Sequence, residues 1–509
     1  MIGSSQGSVA SGKLSIADNP EKSDGLLPKL PCLRWWGVRH TVVLLSFMGV
    51  FTSYNSRVSL SIGIVAMTGT EVYNASDTNI DLSDICPFPE QKYGHGHITK
   101  EDLIGEFDWG KKMQGLILGS FFYGYLASNI FFGWAADRFG PRLVLGTTVG
   151  LGSLLTILTP LCARSSEYLF IANRVLQGAA QGALYPGVVS MLASWATPQD
   201  REIFTSLIFA GGESGTLFAL VLGGWLSESK VFGGWPSIFY LFGTLGLLWT
   251  ILWFLLVHDG PDQDPKISQV ELDYFQKHMG LEKKNEKKLP VPYLAMAKSP
   301  QIWVAICSSV GWHYGFYMLM AELPTYLKTT LHVDLMSVSV LLFLLSTFSR
   351  MWVSYYNFQN NKFLKFCNFR DFARLLPLCA SGLAFAAMAL VGCNATFSIT
   401  VLCLAVGLGG AMYCSFPCSC IDLAPNFSGT IFGILNTVGA IVGILSPLIT
   451  GAIIEGNPSL SAWRKAFFIT SGILLTSGVI TCSFLKAERQ PWNEPKQDDA
   501  KERSTVSSI

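Results

Sequence analysis

The chain has 509 residues, of which 50% are hydrophobic and only 14% charged, against roughly 25% charged for an average soluble domain. A soluble protein of this length divides into several domains, each with a charged surface to keep it dissolved, and this chain lacks the charge for that. Its 36 Lys and Arg nearly balance 35 Asp and Glu, so net charge implies neither an acidic nor a basic partner, and nucleic acid is not expected.

Residues 1–38 are polar, with Ser, Gly and Lys, and lack the charged-then-apolar form of a cleavable signal peptide. The first apolar run after them is long enough to span a bilayer and reads as an uncleaved signal-anchor. Runs of about 20 apolar residues then recur along the chain. They predict twelve spans, near 41–64, 113–133, 143–162, 167–190, 204–226 and 236–257, then 301–321, 336–354, 375–393, 397–419, 430–453 and 465–485. The fold class is therefore an all-α membrane protein with two six-helix halves, 39–257 and 301–486.

The stretch 258–300 between the halves carries Lys266, Lys277, Lys283, Lys284, Lys287, Lys288 and Lys298. Lys and Arg concentrate in cytoplasmic loops, which places this linker, the N-terminal tail 1–38 and the C-terminal tail 487–509 in the cytoplasm. The acidic loop 69–112 then faces outward or into a lumen. It contains Asn74-Ala75-Ser76, a glycosylation acceptor on the permissive side. Asn394-Ala395-Thr396 lies close to the membrane, and Asn426-Phe427-Ser428 falls on the cytoplasmic side. The twelve Cys are mostly scattered through apolar stretches and read as small packing residues. Glycines such as Gly115, Gly119 and Gly124 in the second span, and Gly407, Gly409 and Gly410 in the tenth, suit close helix approach.

An ionised side chain at mid-bilayer costs about 2.5–3.5 kcal/mol on insertion scales, so each one asks for a reason. Arg57 in the first span and Arg174 in the fourth would suit an anion passing between helices; the alternative is that each caps carbonyls or pairs with a neighbouring helix. Arg174, Gln177, Gln181 and Tyr185 follow helical spacing and share one face. Glu213 in the fifth span is a candidate proton carrier or a permanent ion-pair partner of Arg174 or Arg57. His313 in the seventh is a candidate titrating group or a satisfied hydrogen-bonding residue. No metal cluster, phosphate-binding glycine loop or nucleophile-base arrangement is evident in the sequence, so no cofactor and no enzyme activity are expected.

Gly133-Trp134-Ala135-Ala136-Asp137-Arg138-Phe139-Gly140-Pro141-Arg142 resembles GxxxDRxGxR, the loop motif between spans two and three of the major facilitator superfamily. Arg174-Val175-Leu176-Gln177-Gly178 resembles the same superfamily's RxxQG. Asn55-Ser56-Arg57, the run Gln114 to Tyr125, Leu323-Pro324-Thr325-Tyr326, Asp422-Leu423-Ala424-Pro425 and Asn436-Thr437 narrow the resemblance to its anion/phosphate cotransporter family. That family includes sialin, the vesicular glutamate transporters and the type I sodium-phosphate cotransporters.

The resemblance implies a major facilitator fold, with Arg57 and Arg174 binding an anionic substrate and Phe122, Tyr123 and Tyr125 lining the same site. It also implies gating by Gly133, Asp137, Arg138, Gly140 and Arg142. Sialin-like members carry Glu where this chain has Gln177 and Gln181, and an amide carries no proton. Proton coupling through span four is thus not expected, and Glu213 is the candidate to replace it. The stretch 341–370 lacks the family's second loop motif.

The expected function is secondary transport of a small anion, inorganic phosphate or an organic anion such as urate, sialate or an acidic amino acid. Transport would proceed by alternating access, driven by an ion gradient of sodium or protons or by the membrane potential. The expected form is a monomer in a plasma or endolysosomal/vesicle membrane. A non-transporting sensor or receptor on the same fold is the alternative.

Overall fold

A computed structural model describes residues 36–68, 106–228, 233–279, 290–319, 326, 369–410, 412–454, 459–486 and 488–493. Helix α1 is Val38–Thr68, α2 Lys111–Phe139 and α3 Pro141–Ser165. The fourth span is two pieces, α4 (Glu167–Gln181) and α5 (Leu184–Trp195), joined by a turn at Gly182 and Ala183. Helices α6 (Arg201–Glu228) and α7 (Pro236–Leu256) complete the first half. The linker forms α8 (Gln269–Met279) and α9 (Tyr293–Lys298). The second half contains α10 (Pro300–Tyr317), α11 (Phe369–Val391), α12 (Ala395–Gly410), α13 (Met412–Leu423), α14 (Ser428–Ile454) and α15 (Leu460–Phe484).

Eleven of the twelve expected spans thus have a helical counterpart, the tenth being α12 followed by α13. The eighth, 336–354, lies outside the described residues, as do Asn74 with the acidic loop as far as 105, Leu323 to Thr325, and all but the last two residues of the divergent stretch 341–370. Among the described residues, six helices are long and apolar enough to cross a membrane by length and composition.

Proline opens α3, α7 and α10 through Pro141, Pro236 and Pro300, the position where its missing N–H costs nothing. Burial is arranged for a lipid solvent. Leu151, Leu161, Leu255, Leu448 and Phe484 are exposed, while Asn55, Ser120, Asn129, Asn173 and Gln177 are buried. Hydrocarbon chains replace water around the apolar rim, and the polar groups must find partners inside.

Helices approach where side chains are absent. A Cβ at Gly124 would collide with the Val175 carbonyl and one at Gly178 with the Phe121 carbonyl, so α2 and α4 cross backbone to backbone. Gly211 meets the Phe47 carbonyl in the same way, between α6 and α1. Gly115, Gly119 and Gly407 differ from the sequence expectation, because among the described residues a Cβ at any of them meets nothing within 4 Å. Spacing alone does not reveal which face of a helix meets a partner. The cysteines need a similar amendment. Among the described residues seven cysteines carry no disulfide, but Cys393, in the turn after α11, is disulfide-bonded.

The linker is docked onto the first half. Glu271 of α8 accepts the backbone N–H groups of Val38 and Arg39 at 3.0 and 3.1 Å, placing a carboxylate at the N-terminus of α1, where exposed N–H groups favour it. Arg39 pairs Asp200 at 2.9 Å, Tyr274 donates to Asp200 at 3.1 Å, and Phe275 is buried against Trp195. Beyond the membrane-spanning part of the first half, Glu106 accepts from Arg164 at 2.8 Å and from the Trp235 indole at 2.8 Å. The Arg164 guanidinium holds the Glu106 carboxyl below the usual carboxylate range. These ties are complete at neutral pH and fade as pH falls through that depressed value, and their exposure keeps the effect small.

The α2–α4 crossing sets an expectation for stability. Gly178→Val should destabilise the purified protein by about 1–3 kcal/mol or prevent insertion, whereas Gly119→Ala should stay within about 0.5 kcal/mol. Thermal unfolding of the two variants in detergent checks this ordering.

Candidate anion site and the contacts between halves

Arg57 projects from the middle of α1 into a group of aromatic rings. Its Cζ lies 4.9 Å from the ring centroid of Phe121, 5.2 Å from Phe122, 5.3 Å from Tyr125 and 5.6 Å from Tyr54. Ring faces carry negative potential, and each desolvated contact with a guanidinium is worth about 0.5–2 kcal/mol. Tyr317 of α10 is also within hydrogen-bonding reach of Arg57. The ionisable groups that act most strongly on Arg57 are the phenols of Tyr54, Tyr317, Tyr125 and Tyr185.

Arg174 of α4 is 3% exposed and stacks on the other claimant's ring, its Cζ 5.2 Å from the Phe121 centroid. Phe121 is therefore shared by both guanidinium groups. Arg174 donates to Gln177 Oε1 at 2.6 Å, and Gln177 passes its own N–H to Thr159 at 2.9 Å. The buried Arg174 Nε has no hydrogen-bond partner among the described residues. Four described acids pair with other cations: Asp200 and Glu271 with Arg39, Glu106 with Arg164, Asp422 with Arg201.

The expected polar stripe is real. Arg174, Gln177 and Gln181 are buried, Gln181 donates to the Ser53 carbonyl of α1 at 3.2 Å, and Tyr185 donates to Tyr54 at 2.8 Å. Gln177 and Gln181 thus hold α4 against α3 and α1. Tyr123 is a correction. It is 58% exposed and faces away from Arg57, because residues 121, 122 and 125 share a helical face and 123 lies roughly opposite. The ring that sequence reasoning passed over is Phe121, and helical spacing from Tyr125 was the signal that could have found it. Glu213 is half-buried on α6, next to Gly212, whose Cβ position is 3.2 Å from the Tyr54 ring. His313 is 5% exposed, with Nδ1 2.8 Å from the Ser309 carbonyl.

The motif residues lie at one end of the bundle. Asp137, at the end of α2, accepts from Gly429 N at 3.1 Å, Thr430 N at 2.7 Å and Thr430 Oγ1 at 2.7 Å. A first-half carboxylate thereby satisfies the first N–H groups of α14 in the second half. Gly133 is needed there because a Cβ would stand 2.5 Å from the Gly429 carbonyl. Gly140 has φ 106° and leaves no room for a side chain beside Asp259. Arg142 donates its backbone N–H to Asp259 at 2.8 Å and its guanidinium to the Phe254 carbonyl at 2.6 Å. Arg138 is exposed on the rim. At the same end Arg201 pairs Asp422 at 2.6 Å, joining α6 to α13. Deeper in, Asn436 of α14 donates to the Tyr125 hydroxyl at 2.7 Å and to Asn129 Oδ1 at 2.6 Å. None of these partners across the halves was foreseen from sequence, since the residues lie hundreds of positions apart.

Residues 47–447 match the sequence profile of the Major Facilitator Superfamily. The chain belongs to that superfamily. It is 31% identical to a putative inorganic phosphate cotransporter of Drosophila melanogaster, over 92% of this chain and 88% of that protein. It is 30% identical to Homo sapiens sialin, over 89% and 90%. Among solved structures, the proton:xylose symporter XylE aligns with a TM-score of 0.62 at 13% identity, over 89% of this chain and 97% of that one, a likeness of fold. A multi-pass membrane protein of a transporter superfamily, not an enzyme, is the result.

The Asp137 contacts can be tested through a native thiol. Cys418 is buried beside Thr205, with 3.5 Å between Sγ and Oγ1, close to the Arg201–Asp422 pair. Losing charge-assisted bonds worth about 1.5 kcal/mol or more, Asp137→Ala should raise Cys418 alkylation by N-ethylmaleimide at least about tenfold. Mass spectrometry of the modified peptide reads the rate; an unchanged rate would mean that Asp137 does not hold this end closed.

Proposed function

We propose that the protein is a secondary active transporter of a small anion, with the two guanidinium groups on Phe121 as the binding site. The observation that carries this is a pair of cations, Arg174 buried and Arg57 half-buried, set among rings, phenols and amides, with a buried Arg174 N–H left unpartnered among the described residues. Such an arrangement is incomplete without an anion. A carboxylate or phosphate oxygen supplies the acceptors, and the low-polarity walls strengthen the attraction. The names of the relatives, a phosphate cotransporter and sialin, support the anion reading and do not favour a sensor. Inorganic phosphate, urate, sialate and acidic amino acids all suit two guanidinium groups.

In this reading the Asp137 and Arg201 contacts close the cytoplasmic end, where the basic linker 258–300 and both tails lie. Parting of the two halves, 39–257 and 301–486, would open it and admit or release the anion. Gly133, Gly140 and Arg142 set the geometry of that closure without touching substrate. Glu213 is a candidate for coupling through a sodium ion or a proton. The protein would act as a monomer in a plasma or vesicle membrane, with Asn74 glycosylated on the outer side.

Uptake of labelled phosphate, urate, sialate and glutamate into proteoliposomes, with and without a sodium gradient, tests the proposal. At least one solute should accumulate above empty vesicles, and Arg57→Ala should reduce that uptake at least about 100-fold, the loss of roughly 2.7 kcal/mol of ion pairing. Glu213→Gln should alter the sodium or pH dependence. Absence of uptake of all four by correctly inserted protein would defeat the reading.

A further inference from the structure

Beyond α15 the chain runs back onto the connection between α13 and α14. The Gln490 backbone N–H donates to the Leu423 carbonyl at 2.9 Å. Asn493 ends the short turn Pro491–Asn493 and is 1% exposed. Its Oδ1 accepts the Asn426 backbone N–H at 3.1 Å, and its carbonyl accepts the Asn426 side-chain N–H at 3.0 Å. The Trp492 ring centroid lies 6.4 Å from that of the buried Phe427. Ser299, just before α10, donates to Gln490 Oε1 at 3.3 Å, and Gln301 Oε1 accepts the Lys486 backbone N–H at 2.8 Å. The tail is thus anchored to α10 and grips the α13–α14 connection.

Contacts with the first half and contacts with the tail alternate along residues 422–430. Asp422 pairs Arg201 of α6 at 2.6 Å. Leu423 and Asn426 are held by the tail. Gly429 and Thr430 then give their N–H groups to Asp137 of α2 at 3.1 and 2.7 Å. One short segment therefore carries both of these contacts with the first half, and the tail holds its middle. There is little slack in that seat: a Cβ at Gly429 would stand 2.7 Å from Asp137 Oδ1. Hydrogen bonds weaken steeply as their angle closes, so the orientation of the turn Pro425–Phe427 decides whether Arg201 and Asp137 find their partners together.

We propose that Gln490 to Asn493 form a positioning latch for the contact between the halves. Docked, the latch presents residues 422–430 to Arg201 and Asp137 at once. Released, it lets that segment turn, and the two contacts are lost together. The grip is suited to release. Asn493 Nδ2 and Trp492 Nε1 are buried without a hydrogen-bond partner among the described residues, and such groups regain their bonds in water. The gain at Asn493 Oδ1 is therefore partly offset, which keeps docking reversible. Because the docked tail favours joined halves, parted halves in turn loosen the tail. The latch touches no substrate and acts only through the α13–α14 connection. It rests on the transport reading solely in treating this contact as the cytoplasmic closure.

The test needs no solute. Alkylation of Cys418 by N-ethylmaleimide, beside Thr205 where the halves meet, is followed by mass spectrometry on the full-length chain in lipid nanodiscs. Cys379 of α11, also a free thiol, is the internal reference. Asn493→Ala is expected to raise the Cys418 rate at least about fivefold while Cys379 stays within about twofold. In a chain that already carries Asp137→Ala, adding Asn493→Ala is expected to change the Cys418 rate by less than about twofold, because the contact it acts through is gone. Should Asn493→Ala fail to insert, Asn426→Ala removes the side-chain bond from the other side and is expected to show the same pattern. An unchanged Cys418 rate overturns the proposal, as does an equal rise at Cys379. So does the same fold-rise with and without Asp137→Ala, the result for a tail that merely stiffens the second half. A chain that takes up no anion leaves this measurement standing, and an inert tail leaves the anion site standing.

Discussion

Two guanidinium groups share one phenylalanine inside a membrane bundle, and most of the first half is organised around tolerating them. A charge at mid-bilayer is costly, and the cost falls when the group is surrounded by partners that do not neutralise it permanently. Rings on α1 and α2 provide such partners for Arg57, and the Gln177–Thr159 chain provides one for Arg174. A carboxylate in the same place would satisfy the arginines for good and leave nothing for a passing anion to do. Of the described acids, Asp200, Asp422 and Asp137 are committed to other cations and to a helix end.

The position of Phe121 depends in turn on backbone contact. Gly178 of α4 lies against the Phe121 carbonyl, and Gly124 of α2 lies against the Val175 carbonyl. Closeness of α2 and α4 is what brings one ring to two arginines from different helices. The same α2 carries Tyr125, Asn129 and Asp137, each of which reaches α14. One helix therefore joins the two arginines to both contacts between halves, and in the proposed reading an anion bound there would have a direct mechanical route to the Asp137 contacts.

Much of this was legible in the sequence, for stated reasons. Apolar runs identify spans because the bilayer fixes their length, and eleven of them became helices or helix pairs. The Arg174–Gln177–Gln181 face was legible because spacing within one helix is periodic, while Tyr185 lies past the turn at Gly182 and Ala183, on α5. Arg57 was legible because an ion in an apolar run is expensive. Tyr123 was misplaced because a neighbour in sequence is about 100° away on a helix, and proximity to Tyr125 does not imply a shared face. Asn436, Tyr317 and the Arg201–Asp422 pair were not legible as contacts. Nothing in a single sequence says which residue of the second half meets which residue of the first.

Binding at Arg57 is the claim on which the account turns, and ligand-dependent thermal stability measures it most directly. A ligand that binds only the folded chain raises its melting temperature in proportion to occupancy. With phosphate, urate, sialate and glutamate titrated onto purified protein, the account predicts that at least one anion raises the midpoint in a saturable manner and that Arg57→Ala abolishes the rise. The same saturable rise in Arg57→Ala, with an affinity equal to that of the natural chain, would contradict it.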